Sequence, residues 1–334
     1  MSEPQAGTRQ EWKTVAEATP EVAAILNGAS RITCLAHKDA DADSLGSALG
    51  FAMAASSHVA EVAVVVPNPM PRLLSYLPGY SLVTSEPVKN DIVFTFDCPS
   101  VERFGDKGPI INAAKTVICI DHHRSNTSFG TLNIVEPTAS ATGQMVFRLL
   151  QLLKLPITAQ TASCLYAALY TDTGGFRHEN TTEEALRNGA DLVGLGADAG
   201  YIALKSYKSR TVEQMRLEAL AVSTLRGELG GRLIWSAVTT PMLVTAGADL
   251  QDAEGIIDQL QSIDTMKLAI LFKEVDPQTT KISVRSRDEI DATAVCTPFG
   301  GGGHLRAAGA ELRIPIKQAQ QDVLAVARNV LGGE

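Results

Sequence analysis

The stretch HKDADADSLGS, residues 37–47, sets a histidine and three aspartates on alternate positions: His37, Asp39, Asp41 and Asp43. Like charges this close repel, so either solvent or a positive partner must compensate them. The same donor types recur at three later points. Asp97 closes the run DIVFTFD, Asp121-His122-His123 follows TVICI, and Asp172 follows LYAALYT. Aspartate oxygen with histidine nitrogen is a ligand set for Mn²⁺, Zn²⁺ or Fe²⁺. Asp41 and Asp43 can direct one carboxylate at each of two cations, and Asp97 can bridge them from a facing strand end. Two such ions polarise a phosphoryl group and favour in-line attack by water. Their charge also makes the crowded carboxylates tolerable.

Each segment has a plainer reading on its own. DADAD suits an acidic loop, DHH a turn with a helix-capping aspartate, and DTGG a helix end. Binding of metal accounts better for their recurrence at element ends. Four of the six histidines, His37, His122, His123 and His304, fall in chemistry-bearing motifs.

A second group lies near the C-terminus, in FGGGGH, residues 299–304. Glycines let backbone N–H groups approach an anion without a Cβ in the way. Four glycines would equally suit a flexible loop. His304 and Arg306 adjoin the run, and Arg285 and Arg287 fall on an expected neighbouring strand, which favours a grip on phosphate or nucleotide. Such a grip holds the non-scissile part of a substrate and favours short ones. Arg103, Arg177 and His178 fit either a supporting contact or a solvated turn. His58 reads as a helix-end residue, and Phe299 as core packing rather than a base-stacking ring.

These residues need elements to carry them. Arg31–Ala36, Glu61–Val66, Asp91–Phe96 and Thr116–Ile120 are short apolar runs rich in β-branched residues, as strands buried on both faces require. Asp43–Ala55 between them reads as a helix. Strands alternating with helices predict a mostly parallel sheet, whose ligands sit beyond the carboxyl ends of the strands. His37, Asp97 and Asp121–His123 all fall at that edge. Ala141–Leu153, Ala159–Tyr170 and Thr182–Leu195 follow as helices, and Thr211–Leu225 as a charged amphipathic one. From about residue 230 a second α/β pattern begins. Arg232–Val238 is a strand, Glu254–Ser262 a helix, Lys267–Phe272 and Lys281–Val284 a strand pair turning at Asp276-Pro277-Gln278, and Gln318–Leu331 a closing helix. The fold class is α/β in two domains. Residues 15–200 form the catalytic, mostly parallel domain flanked by helices, 201–225 a helical connector, and 226–334 a smaller α/β substrate-binding domain.

Charge and composition narrow the partners. The net charge of −8 argues against coating long duplex nucleic acid, which needs a basic face, but leaves room for a small anionic substrate. No apolar run approaches the ~20 residues of a membrane span. The start, MSEPQAGTRQEWK, lacks the order of a secretory leader. A cytoplasmic protein without a membrane partner is expected. The five cysteines, none in CxxC spacing, read as buried free thiols. A homodimer is the default assembly.

In order and spacing, HKDADADSLGS, Asp97, Asp121-His122-His123 and Asp172-Thr173-Gly174 resemble the four motifs of the DHH phosphoesterases. FGGGGH with Ala307-Ala308-Gly309, and Ser283-Val284-Arg285-Ser286, look like the associated C-terminal substrate-binding domain. The resemblance spans residues 15 to 330. It implies a first metal held by His37, Asp41 and Asp97, and a second held by Asp43, Asp97, His122 and Asp172. It implies two Mn²⁺ per site, His123 facing the substrate, and Asp121 fixing a histidine tautomer. Arg285, Ser286, Gly301, Gly302, Gly303 and His304 would bind substrate. Ala40 and Ala42 replace a usual proline and glycine and spare every ligand position, while Asp39 is left to a supporting or solvated role. The group implied is the bifunctional nano-RNases, which hydrolyse very short single-stranded oligoribonucleotides exonucleolytically and dephosphorylate adenosine 3′,5′-bisphosphate. A cyclic-dinucleotide or linear diadenylate phosphodiesterase is the nearest alternative, and a non-catalytic, metal-stabilised nucleotide-binding regulator the alternative of another class.

Overall fold

The computed structural model describes residues 11–88 and 92–332. Asp91, the expected first residue of the third strand, residues 1–10 of the leader reading and residues 333–334 of the C-terminal domain lie outside the described residues. The chain divides into two compact units, Met1–Ser209 and Arg210–Glu334.

The first unit runs α1 (Val15–Gly28), β1 (Arg31–Leu35), α2 (Ala42–Ala55), β2 (Glu61–Val65), β3 (Val83–Thr84), β4 (Ile92–Phe96), α3 (Gly108–Ala113), β5 (Thr116–Asp121), β6 (Leu132–Val135), α4 (Thr142–Leu153), α5 (Ala159–Asp172), α6 (Glu183–Gly194) and α7 (Ala199–Ala203). Its sheet has the order β3-β2-β1-β4-β5-β6 with every pairing parallel. Strand side chains divide with a period of two. Ile32, Cys34, Phe94, Phe96, Ile118 and Ile120 pack into one core with α1, α2, α4 and α5. Leu35, Val65, Val93 and Val117 pack on the opposite face with Phe104 and Ile111. Both faces are therefore covered, as the near-continuous apolar runs require.

Register then sets the edge. Leu35 pairs with Thr95, and Phe96 with Ile120, so β1, β4 and β5 end side by side. The strand order reverses between β1 and β4, the place where open α/β sheets bind ligands. The helix α1 was not anticipated, because Pro20 interrupts its pattern. A capping box between Thr14 and Glu17 starts it, and Val15, Ala18, Val22 and Leu26 bury its inner stripe. α2 and α5 touch almost backbone to backbone. A Cβ on Gly46 would stand 2.6 Å from the Cys164 carbonyl oxygen, and one on Gly50 2.7 Å from Leu165.

The second unit runs α8 (Val212–Ser223), β7 (Arg226–Glu228), β8 (Leu233–Val238), α9 (Thr240–Ala246), α10 (Ile256–Gln261), β9 (Leu268–Asp276), β10 (Thr279–Ser286), α11 (Thr293–Cys296), β11 (Gly302–His304), β12 (Ala307–Leu312) and α12 (Ile316–Val330). Its sheet order is β11-β12-β10-β9-β8-β7, antiparallel except between β8 and β9. One face packs Ile282, Val284, Ala308 and Leu312 with residues of α11 and α12. The other packs Ala269 and Leu271 with Leu217, Ala221, Ile257 and Leu260 of α8 and α10. The segment 201–225, expected as a connector, is divided: Ile202 sits in the first unit's core, whereas Leu217 and Ala221 anchor α8 in the second. No helix among the described residues is long and apolar enough to cross a membrane.

Candidate active site

His37 stands two residues beyond β1, held by its own backbone. Its N–H donates to Ser44 Oγ at 3.1 Å, and Ser44 Oγ donates to the Phe96 carbonyl at 3.1 Å. One serine on α2 thereby ties the ends of β1 and β4 together. Asp39 is exposed, in a left-handed turn at φ 55°, a conformation aspartate tolerates better than most residues. Asp41 caps α2, accepting the Ser44 N–H at 2.9 Å.

Asp43 lies in the first turn of α2 but serves another helix. The N-cap of α4 is Ala141, whose methyl cannot accept a hydrogen bond. The Asp43 carboxylate caps it from across the core, taking the N–H of Thr142 on Oδ2 and that of Gly143 on Oδ1, both at 2.8 Å. Asp97, the residue after β4, is also left-handed at φ 58°, with its N–H bonded to the Ile120 carbonyl at 3.0 Å. Such strain persists where surroundings fix it and is common at functional sites.

The carboxylate of Asp97 has one oxygen for each neighbour. Oδ2 lies 3.5 Å from His37 Nε2, and Oδ1 lies 3.3 Å from His122 Nε2 and accepts the Thr142 hydroxyl at 3.1 Å. Two of the overlapping trios that include it are His37–Asp41–Asp97 and Asp43–Asp97–His122, the ligand atoms of each within 4.8 Å of one another. Asp172, the last residue of α5, places Oδ2 3.8 Å from His122 Nε2, and Asn180 donates to the same oxygen at 3.4 Å. His37 Nδ1 sits 2.8 Å from the Lys38 carbonyl, and His122 Nδ1 sits 3.1 Å from that of Ala139. A carbonyl only accepts, so each Nδ1 carries a proton and each Nε2 is the ring atom turned to the carboxylates, where a metal would take the place of its proton. This is an oxygen-and-imidazole donor set of the kind that suits divalent metal ions, with each ring turned to offer Nε2. All six expected ligands are brought together, Asp97 at their centre.

His123 turns the other way in role. Its Nδ1 donates to Asp121 Oδ1 at 2.7 Å, leaving Nε2 as its remaining polar atom. Asp121 is fully buried, and its second oxygen accepts from Asn126 Nδ2 at 2.6 Å.

The charges interact strongly. Burial alone would push Asp97 up, but hydrogen bonds from His122 and His37 hold it well below the usual carboxylate range. Burial and the charges of Asp97 and Asp172 push Asp43 well up. Burial raises Asp172 to about 6. Burial opposes protonation of both rings, yet Asp97, Asp172 and Asp43 carry His122 well above its ordinary value, and Asp97 and Asp41 raise His37. Without cations, protons neutralise this cluster. A cation must displace them, so binding is expected to release protons and to weaken as pH falls, Asp172 taking up its proton at about 6. Calorimetric titration of manganese into the metal-free protein, in buffers of different ionisation enthalpy, measures that release. Proton uptake instead of release would contradict the ligand set.

In the second unit, cross-strand pairing builds a shelf. Arg285 on β10 pairs with Ala307 on β12, which pairs with His304 on β11. The next row is Ser283, Gly309 and Gly302. Paired residues share a face, so two rows of mostly small side chains carry Arg285 at one end and His304 at the other. Ser286, expected beside Arg285, faces the opposite way because strand side chains alternate. It is 2% exposed, and its hydroxyl holds the Leu305 carbonyl at 3.0 Å. Packing by itself requires two glycines of the run. A Cβ on Gly301 would meet the Gly309 carbonyl oxygen at 2.3 Å, and one on Gly303 that of Ala307 at 2.4 Å, while Gly302 faces open space. Arg287 is drawn to the Ile263 and Gln261 carbonyls at the end of α10, and Arg306 donates to the Ile290 carbonyl.

Among the lesser signals, the Arg103 carbonyl accepts the Lys38 N–H, Arg177 lies over the Tyr207 ring, His58 is exposed after α2, and Phe299 packs against the second unit's core. Thr142, Gly143, Ser44 and Asn126 escaped the sequence reading. The first two act through backbone N–H groups, which no residue type advertises.

Comparison with known proteins agrees with this architecture. Residues 31–169 match the DHH family N-terminal domain, and residues 230–333 match the DHHA1 domain. The chain is 32% identical over 299 residues to the bifunctional oligoribonuclease and PAP phosphatase NrnA of Thermus thermophilus, covering 88% of each. It is 25% identical over 336 residues to the cyclic-di-AMP phosphodiesterase GdpP of Bacillus subtilis, covering 91% of this chain and 48% of that longer one. Its fold matches the crystal structure of an exopolyphosphatase-related protein from Bacteroides fragilis with a TM-score of 0.83, at 25% identity over 94% of this chain and 95% of that one. Sequence motifs, sheet topology and family match together establish that the chain belongs to the DHH family of phosphoesterases, with a DHHA1 domain in its second unit.

Proposed function

We propose that this hydrolase cleaves short oligoribonucleotides exonucleolytically and removes a phosphate from adenosine 3′,5′-bisphosphate, using two manganese ions. The observation that carries the reading is the placement of Asp97, one oxygen toward each trio. The first ion would be held by His37, Asp41 and Asp97, the second by Asp43, Asp97, His122 and Asp172. When bound, the ions supply Lewis-acid polarisation of the phosphoryl oxygens and lower the pKa of water.

The chain's own residues do the rest. Thr142 and Gly143 fix Asp43, and Thr142 Oγ1 fixes Asp97, so the carboxylates need not reorganise as charge develops. His123, its Nδ1–H committed to Asp121, offers Nε2 to the leaving group. As the oxygen–phosphorus bond from water forms and the phosphorus–oxygen bond to the leaving group breaks, the doubly protonated His123 ring gives its Nε2 proton to the departing oxygen, the attacking water gives a proton to solvent, and Nε2 takes one back from solvent to close the cycle. Arg285 and His304, with the backbone of Gly302 between small neighbours, grip the non-scissile end. Gly301 and Gly303 shape that strand, and Ser286 holds its loop. Arg285→Ala is expected to raise KM about tenfold with kcat within twofold, because a grip on non-reacting atoms is uniform binding. A fall in kcat alone, in steady-state kinetics on a dinucleotide, would contradict that role.

The relatedness to NrnA supports these substrates, and that to GdpP supports a second reading, hydrolysis of diadenylates. The test is a phosphate- and nucleotide-release panel with manganese: dinucleotides, five-residue RNA, adenosine 3′,5′-bisphosphate, cyclic and linear diadenylate, and pyrophosphate. Turnover of dinucleotides and the bisphosphate supports the first reading. Preference for diadenylates supports the second, and binding without turnover the regulator. A cytoplasmic, homodimeric enzyme without long-duplex or membrane partners completes the proposal.

A further inference from the structure

We propose that Asn126 is a positioning residue for this reaction, acting through Asp121 to hold His123 in its proton-donating orientation. The inference rests on the role given to His123 above. Asp121 is fully buried and carries two oxygens that must each find a donor. His123 supplies one, and Asn126 Nδ2 supplies the other at 2.6 Å, the shortest of that amide's contacts. The remaining two, to the Cys98 carbonyl at 3.5 Å and Cys119 Sγ at 3.4 Å, are long.

The amide orientation is fixed at both ends. Asn126 Oδ1 accepts the Ser128 N–H at 2.8 Å, so the NH₂ must face the acceptor-only carboxylate. The backbone closes the same turn, the Asn126 N–H donating to the His123 carbonyl at 3.2 Å. Asn126 is 5% exposed, so no bulk water stands ready to replace its donor. Removing the amide leaves one oxygen of a buried carboxylate unsatisfied. Asp121 then turns to find another donor, and that movement releases the His123 ring. Neither the substrate grip nor the contacts of Asp97 with His37 and His122 use this amide, so the loss should fall on chemistry and not on binding.

A double-mutant cycle tests this, using the manganese-loaded full chain and a dinucleotide substrate. Asn126→Ala should lower kcat about 10–100-fold with KM within twofold, the range for partners that orient a reacting group. In a His123→Ala background the same substitution should change kcat by less than about twofold, since residues acting as one unit are not additive. A p-nitrophenyl phosphodiester, whose leaving group needs no proton, should lose less than about threefold in Asn126→Ala. Full additivity with His123→Ala, equal losses on both substrates, or wild-type turnover in Asn126→Ala would each overturn the proposal. Wild-type turnover in His123→Ala would instead overturn the role of His123 itself. Should Asn126→Ala not fold by circular dichroism, Asn126→Ser carries the same cycle.

Discussion

Asp97→Asn is expected to lower turnover at least about 1,000-fold and to strip most of the bound metal, with the fold retained. The size follows from the chemistry at stake: several kcal/mol of charge stabilisation by metal ions, at about 1.4 kcal/mol per tenfold in rate. The asparagine is chosen for its backbone. Asp97 sits at φ 58°, and asparagine enters that region as readily as aspartate, whereas alanine would add strain. Its side chain has the same shape and can still accept the Thr142 hydroxyl now received by Oδ1. What it loses is the charge through which one carboxylate serves both His37 and His122. Asp39→Asn is the matched control. Asp39 is also left-handed, at φ 55°, and lies two residues from His37, but it is exposed and in neither trio. Its variant should keep turnover within about threefold, as surface changes away from special features usually do. Metal content by elemental analysis, kcat with added manganese and a thermal melt decide the matter. Retention of a tenth of wild-type turnover in Asp97→Asn would sink the central place given to this residue.

These two aspartates also mark how far the sequence alone can be read. Donor types at strand ends were legible because a parallel sheet has only one edge at which they can converge, and Phe96 beside Ile120 delivers them there. The strands were legible because burial on both faces forces continuous apolar runs. The first helix was not, since Pro20 breaks its pattern and only tertiary burial of Val22 and Leu26 outweighs that. Nor was the strand Leu132–Val135, four residues long and lying at the sheet's edge. The glycine run could be located but not explained. Gly301 and Gly303 are needed because the neighbouring strand's carbonyls leave no room for a Cβ, a constraint that arises only once β12 is in place. In the same way, nothing in a threonine-glycine pair announces that its N–H groups will meet a carboxylate about a hundred residues earlier in the chain.

That last contact yields the second large expectation. Gly143→Ala should reduce turnover about 100-fold, although it adds only one methyl group, 3.4 Å from Asp43 Oδ1 and so at ordinary contact with that carboxylate. Its Cβ would stand 2.4 Å from the Cβ of Ala168 on α5 and 3.3 Å from the Leu165 carbonyl oxygen. Ordinary contact between such carbons needs more than an ångström beyond that, so the start of α4 must move away from α5. Asp43 is bound to that start through the N–H groups of residues 142 and 143, and Asp172 ends α5 itself. The displacement therefore separates the carboxylates that must act together. A shift of about 1 Å in a positioning element can cost about 100-fold in rate, and overpacking of this kind about 1–3 kcal/mol in stability. Ala168→Gly removes the atom in the way. Combined with Gly143→Ala, it should recover most of the turnover while leaving stability lower, because a glycine inside α5 costs about 1 kcal/mol in helix propensity. Recovery of rate without recovery of stability is what a geometric cause produces. If the double variant remains as slow as Gly143→Ala alone, the spacing of α4 from α5 is not what holds Asp43 in register with Asp172.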